Sequence, residues 1–305
     1  FYMNMGQSLG LDGVPRWILL NLTSGVDLFF VLSGFLISNT LYKEWQKNSD
    51  MSLREFYLKR TLRIFPAYYL YLILNNLVYL GWMKALKHQG SEEQLKAASE
   101  LSQAISRSRF DFFYISNYFT GAHAHTWSLS TEEQFYLVFP LLLLVLLRLA
   151  AHNKRILFGS LGLLYALPLV NRLIYANLAS DASDWHSIYY PLHMRYDALF
   201  AGVLVMLIYN SFPPEKLFEG KRGNIFVGAG ALLLAAAHCM PVEGSLTLNA
   251  LKFSLLNIGY ATLLLSCLNP RLTGFTRFLS TSPLNVIAKL SYSMYLWHGL
   301  VGGIG

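Results

Sequence analysis

Eight apolar runs, each close to the length that a helix needs to cross a bilayer, constrain this chain more than any other feature. About 20 helical residues span the hydrocarbon core. The chain is 54% hydrophobic and only 13% charged, which is too much apolar surface for a water-soluble domain. We therefore predict an all-α, polytopic transmembrane bundle with about eight spanning helices. The runs are 24–42, 63–82, 128–148, 155–175, 191–209, 224–240, 248–268 and 284–304.

The basic residues fall between these runs and predict the orientation. The net charge is +7, but its clusters follow the positive-inside pattern, so we expect a lipid bilayer and no nucleic acid as partner. With 43–62 in the cytoplasm, the other basic connections agree only if the short apolar stretch 110–119 does not cross. We predict that this stretch is re-entrant or interfacial. The polar stretch 83–109 is then an extra-cytoplasmic insertion in a single membrane domain over 1–305.

Two adjacent carboxylates stand at the start of an apolar run, in the sequence WSLSTEEQFY (127–136). Ser130 and Glu133 match the capping box, in which the glutamate bonds back to free backbone N–H groups. Glu132 points about 100° away around the helix, on the stripe of Tyr136. Ionisable groups inside a membrane bundle are functional candidates. Glu132 is thus either a helix-start charge at the interface or a catalytic or binding group.

Two arginines, Arg60 and Arg63, are three positions apart and share one helix face. Neighbouring guanidiniums repel each other unless an anion bridges them, and their planar forks match phosphate oxygens. The pair predicts either a site for a nucleotide-bearing donor or ordinary contact with anionic lipid headgroups.

Other polar residues enter the apolar runs. Asp27 fits a capping and dipole position behind Ser24, and Ser33 lies deeper, where a small residue permits close packing or ligand approach. Arg195 and Asp197 diverge on a helix, so each needs a partner on another helix. They are either structural or functional.

Histidines supply a further set of candidates. His298 could shuttle protons, bond a substrate or be structural. His123 and His125 lack a third ligand, and Cys239 and Cys267 lack ligand spacing. We therefore predict neither a metal site nor a disulfide.

Several separated motifs, taken in order, resemble the membrane acyltransferase 3 family, the bacterial integral-membrane O-acyltransferases that act on sugars and surface polysaccharides. The likeness covers nearly the whole chain, and the order is more specific than any one motif. The motifs are GVDLFFVLSGFLI (25–37), RTLRIFP (60–66), WSLSTEEQFYLVFPLL (127–142), RYDALFAG (195–202) and SYSMYLWH (291–298).

The resemblance implies transfer of an acyl group, usually acetyl, from acetyl-CoA or another acyl-CoA to a hydroxyl of a glycan, in the bacterial inner membrane and without a metal. It implies that Arg60 and Arg63 hold the phosphates of the donor and that Glu132 is the acid of the family pattern. The other pocket candidates are Asp27, Ser33, Trp127, Ser128, Tyr136, Arg195, Asp197, Tyr295 and His298.

The chain departs from the family pattern at both ends. The catalytic histidine of the family precedes the GVDLFF motif, in a helix that would lie before Phe1, and another helix usually follows the last motif, beyond Gly305. We expect the sequence to be a fragment, and His298 is not assigned to the missing role. A transporter or flippase for a lipid-linked sugar is the alternative, without a visible inverted repeat. A sensor or scaffold, a third possibility, would tolerate neutral residues at Arg60 and Arg63.

Overall fold

The computed structural model describes residues 12–150, 153–181, 184–242 and 245–302, and its regular elements in these ranges are all helical. The all-α prediction is confirmed. The expected helix before Phe1, the middle of the loop 181–184 and the end of the predicted span 284–304 lie outside the described residues. The helices are α1 Val14–Asn21, α2 Gly25–Asn48, α3 Leu53–Gln89, α4 Glu92–Phe112, α5 Thr126–Ala150, α6 Lys154–Leu178, α7 His186–Tyr189, α8 Leu192–Arg195, α9 Asp197–Ser211, α10 Pro214–Leu217, α11 Arg222–His238, α12 Leu246–Cys267, α13 Thr273–Leu279 and α14 Ser282–Gly302.

Five helical stretches in the described residues are long and apolar enough to cross a membrane. The sequence analysis predicted about eight spanning helices. The three predicted spans that are not among these five correspond to α9, α11 and α14. The predicted span 191–209 is in fact broken, because α8 ends at Arg195 and the 15-residue α9 begins at Asp197. The five stretches are Val14–Asn48, Leu53–His88, Thr126–Ala150, Lys154–Leu178 and Leu246–Cys267.

The predicted insertion is largely helical, and local signals set its boundaries. Helix α3 stops at Gly90, whose φ of 75° favours glycine. Ser91 then caps α4 in a complete capping box with Gln94. Because α4 ends at Phe112 and turns follow, 110–119 contains no spanning helix. The orientation of this region to the membrane stays a prediction.

The structure differs from the sequence interpretation in two places. Ser24 makes no capping bond to α2, and its hydroxyl instead contacts His238 and Tyr260 at 3.1 and 2.8 Å. Helix α3 begins at Leu53, upstream of the predicted span 63–82, and continues through Pro66, so much of the connection 43–62 is helical. Its 37 residues correspond to about 55 Å.

The chain forms two compact units. The first unit contains the described residues of 1–51 and 139–277, and the second contains those of 52–138 and 278–305; helix α5 runs through the boundary. In the first unit, α2 and α9 pack closely, since a Cβ on Gly34 would overlap the backbone oxygen of Leu199 and one on Gly202 that of Val31.

The second unit is built around an aromatic core in which α3 packs against α4 and α14. This core supports one wall of the candidate site, since Tyr114 stacks on Tyr68 with ring centroids 4.4 Å apart. The buried members are Tyr68, Tyr71, Leu72, Tyr114, Leu129 and Leu296.

Candidate active site

An arginine, a glutamate and a tyrosine meet in the second unit between α3 and α5. Arg60 Nη2 lies 3.5 Å from Glu132 Oε1, and the exposed fractions of the two side chains are 18% and 3%. Tyr136, one turn after Glu132, donates its hydroxyl to the same carboxylate oxygen. The Arg60 guanidinium carbon also lies 3.6 Å from the centre of the Tyr136 ring. Ion pair, hydrogen bond and cation–π contact together hold Arg60 in one place.

A cavity of about 380 Å³ adjoins this cluster, a volume within the range of small-molecule sites. Its lining contains Arg60 and Tyr136, but its carboxylate is that of Glu133, while Glu132 is not part of the wall. The site is therefore partly apolar, with a few polar groups facing it. The lining residues are Tyr57, Arg60, Thr61, Phe65, Phe113, Tyr114, Ile115, Glu133, Gln134, Tyr136 and Leu137.

The capping assignment of Glu133 is wrong. Helix α5 begins at Thr126, so Ser130 lies inside the helix, and its hydroxyl contacts that of Ser116 at 2.8 Å. The free N–H groups of a helix belong to its first turn, so the N–H of Ser130 is not one that Glu133 could cap. The sequence rule misplaced the helix start by one turn, and Glu133 faces the cavity instead.

The two arginines of the R-x-x-R motif have different surroundings. Arg60 is partly buried against Glu132, whereas Arg63 is exposed and does not line the cavity. The two side chains therefore do not line the same cavity, and donor binding by either stays a proposal.

A second cluster in the same unit joins three predicted pocket residues through His125, which was considered only as a metal ligand. Tyr295 Oη donates to the backbone oxygen of His125 at 2.9 Å and contacts the hydroxyl of Ser128. The rings of His125 and the exposed His298 are 4.9 Å apart. Burial, with repulsion from His298 and His123, lowers the pKa of His125 to about 4.

Asp111, which the sequence analysis missed, anchors the turns between α4 and α5. It is fully buried and accepts bonds from the Thr126 hydroxyl at 2.6 Å and the Ala122 N–H at 2.7 Å. Burial raises the pKa of Asp111 to about 6, although these two donors oppose the shift. Burial also lowers the pKa of the neighbouring His123 to about 4. The only sequence signal was one acid within the aromatic stretch 110–114.

Trp127 and Ser33 are buried, at the start of α5 and within α2. In the part of the chain that the structure describes, no three histidine, cysteine or acidic side chains come together to hold a metal ion.

In the first unit, the predicted charges pair between helices. Arg195 Nη2 lies 2.5 Å from Asp27 Oδ1, so Asp27 is an ion-pair partner and not a cap. Asp197 pairs at 2.6 Å with Arg172, which also donates to Ser254 at 2.9 Å. Arg172 was missed because it looks like an ordinary cation near the end of an apolar run; only its burial distinguishes it.

Comparisons with known proteins agree with the resemblance. A family model described as an acyltransferase domain matches residues 2–304. The chain is 27% identical over 293 residues to the peptidoglycan O-acetyltransferase OatA of Listeria monocytogenes, covering 90% of this chain and 44% of that protein. It is 29% identical over 280 residues to the O-acetyltransferase OatA of Staphylococcus aureus, covering 90% and 45%. The chain thus spans less than half the length of these relatives. No solved structure matches it.

Proposed function

We propose a function for this chain, which belongs to the acyltransferase-domain family: it transfers an acyl group, acetyl in the first instance, from acyl-CoA to a hydroxyl of a cell-wall glycan. The observation that carries the proposal is the cluster of Arg60, Glu132 and Tyr136 beside a cavity of small-molecule size, in a chain that matches the family almost end to end. The acceptor class follows from the name of the Listeria relative. The protein is an integral membrane protein, and we place it in the bacterial inner membrane, where acyl-CoA arrives from the cytoplasm.

In acyl transfer the acceptor hydroxyl oxygen bonds to the thioester carbonyl carbon while negative charge grows on the acyl oxygen. The C–S bond then breaks, and the hydroxyl proton ends on the thiol of the released CoA. A fixed cation at that point lowers the barrier, because its position costs no reorganisation during the reaction. Glu132 and Tyr136 fix the Arg60 guanidinium at the cavity wall. In this proposal Glu132 is a positioning residue.

We expect Arg63, more than Arg60, to bind the phosphates of the donor. The charge of Arg60 is already balanced by Glu132, whereas Arg63 is exposed and its fork is open to a phosphate. Arg63→Ala should raise the donor KM about tenfold or more, and Arg63→Lys should restore it only in part. Arg54→Ala, an exposed arginine on the same helix, is the matched control. A donor KM for Arg63→Ala equal to that of the control would remove Arg63 from the donor site.

The function itself is tested with the full-length protein in liposomes. Supplied with acetyl-CoA and a soluble peptidoglycan fragment, it should release CoA in proportion to the O-acetyl ester formed. Glu132→Gln should lower this turnover about 10²- to 10⁴-fold with folding unchanged. Movement of glycan without CoA release would instead indicate a transporter, an alternative that the comparisons do not support.

A further inference from the structure

Three buried polar atoms at the Arg60 cavity have no hydrogen-bond partner in the described residues. They are Glu133 Oε1, Tyr114 Oη and Arg60 Nε, and all three residues line the cavity. Buried polar groups are nearly always bonded, so three exceptions at one cavity indicate that a ligand completes them. The set contains an acceptor, a donor and a hydroxyl that serves as either.

The formal charges around the cavity disfavour a fully charged phosphate as that ligand. Arg60 supplies one positive charge, paired with Glu132, and Glu133 in the same cavity lining adds a second carboxylate, so the formal charge of the three residues is negative. An anion placed there would be repelled by Glu133 without a second cation to hold it. The ligand that fits is neutral and carries hydroxyl groups.

Aromatic side chains complete the walls. Tyr57, Phe65 and Phe113 are among the lining residues, and aromatic residues suit the apolar C–H faces of a sugar ring while its hydroxyls bond to polar atoms. Mostly apolar walls with a few placed polar groups are the usual composition of such sites.

We propose that this cavity is the acceptor subsite and that the Glu133 carboxylate accepts a hydrogen bond from an acceptor sugar hydroxyl. The proposal rests on the proposed function and names where its acceptor binds. Two neighbouring acids thereby have different roles. Glu132 pairs with Arg60 and Tyr136, whereas Glu133 lines the cavity and its Oε1 has no hydrogen-bond partner among the described residues.

Unpaired polar atoms also occur away from this cavity, where nothing indicates a ligand. Arg195 and Arg172 in the first unit also have unpaired nitrogens, but both side chains are fully buried. Their guanidinium carbons lie 4.0 and 5.7 Å from the centre of the Phe253 ring. Aromatic faces cover those cations, whereas a cavity opens beside Glu133.

The test uses Glu133→Gln and Tyr114→Phe in the full-length protein, with Glu55→Gln, an exposed acid paired with Lys59 on α3, as the matched control. Affinity for a soluble peptidoglycan disaccharide is measured by calorimetry in detergent, and acceptor and donor KM are measured in liposomes. Glu133→Gln should weaken the acceptor about 10- to 100-fold and Tyr114→Phe about 3- to 10-fold, with donor KM and melting temperature unchanged.

Each outcome decides the proposal. Weakened disaccharide binding in both variants supports the subsite even if the wild type transfers no acetyl group, in which case the proposed function fails alone. A wild type that transfers acetyl and variants that bind the disaccharide equally well would overturn the subsite alone. A raised donor KM with unchanged acceptor affinity would assign the cavity to the donor and also overturn it.

Discussion

Both units of the molecule bury arginine next to a carboxylate, but they do so in different ways. In the first unit, Asp27–Arg195 and Arg172–Asp197 have atoms 2.5 and 2.6 Å apart and side chains no more than 2% exposed. In the second unit, Arg60 and Glu132 are 3.5 Å apart, Arg60 is 18% exposed, and a cavity adjoins them.

This difference separates a structural role from a chemical one. A buried ion pair whose partners come from different helices specifies which helices pack together. Removing one partner costs much folding stability, because it leaves the other charge buried and unpaired. An arginine at a cavity wall, with an unpaired nitrogen, can still bind something else. We therefore expect changes in the first unit to act mainly on folding and changes in the second mainly on turnover.

The largest expected effect is on the first unit. Asp27→Leu leaves the Arg195 charge buried without its partner and should cost about 3 to 5 kcal/mol, seen as a lower melting temperature and folded yield in detergent. The double variant Asp27→Leu with Arg195→Met should recover most of that loss, because it removes both charges. A double variant that melts like the wild type but transfers no acetyl would place this pair in the catalytic site and contradict its structural role.

A smaller effect is expected from close helix packing in the same unit. Gly34→Ala would push a Cβ into the backbone of Leu199 and should cost about 1 to 3 kcal/mol. Gly159→Ala in α6 is the control, since no atom lies within 4 Å of its added Cβ, and it should leave the melting temperature unchanged or slightly raised. Equal melting temperatures for both variants would mean that α2 and α9 can separate at little cost.

The smallest effect concerns pH and the second unit. Burial depresses the pKa of His123 from 6.5 to about 4, so the stability from its neutral form is present above pH 6.5 and is lost as pH falls towards 4. Asp111 acts in the opposite direction, because its raised pKa adds stability that is lost as pH rises through about 6. His123→Gln should therefore reduce the acid-induced fall in melting temperature by a few degrees.

The exposed His88, changed to Gln, is the control for this titration and should leave the pH profile unchanged. If His123→Gln and His88→Gln gave the same profile as the wild type, the acid sensitivity would have to arise outside the turns that contain His123.

The amino-acid sequence is enough to predict the all-α membrane class, the family and the order of its motifs, because apolar length and charge placement are properties of the chain alone. It also predicts that Arg195 and Asp197 need partners on other helices, since residues two apart diverge on any helix. The identity of those partners, Asp27 and Arg172, depends on how the helices pack.

The same division explains the two glutamates. A capping box is recognised from four residues, but whether it caps anything depends on where the helix starts, and contacts distant in sequence place that start at Thr126. Which acid faces a cavity depends on the helix packed opposite, here the one that carries Arg60. The local sequence pattern predicts which residues share a helix face, whereas the surrounding helices set burial and pairing. The position of Glu133 in the cavity lining therefore could not be predicted from its sequence neighbours.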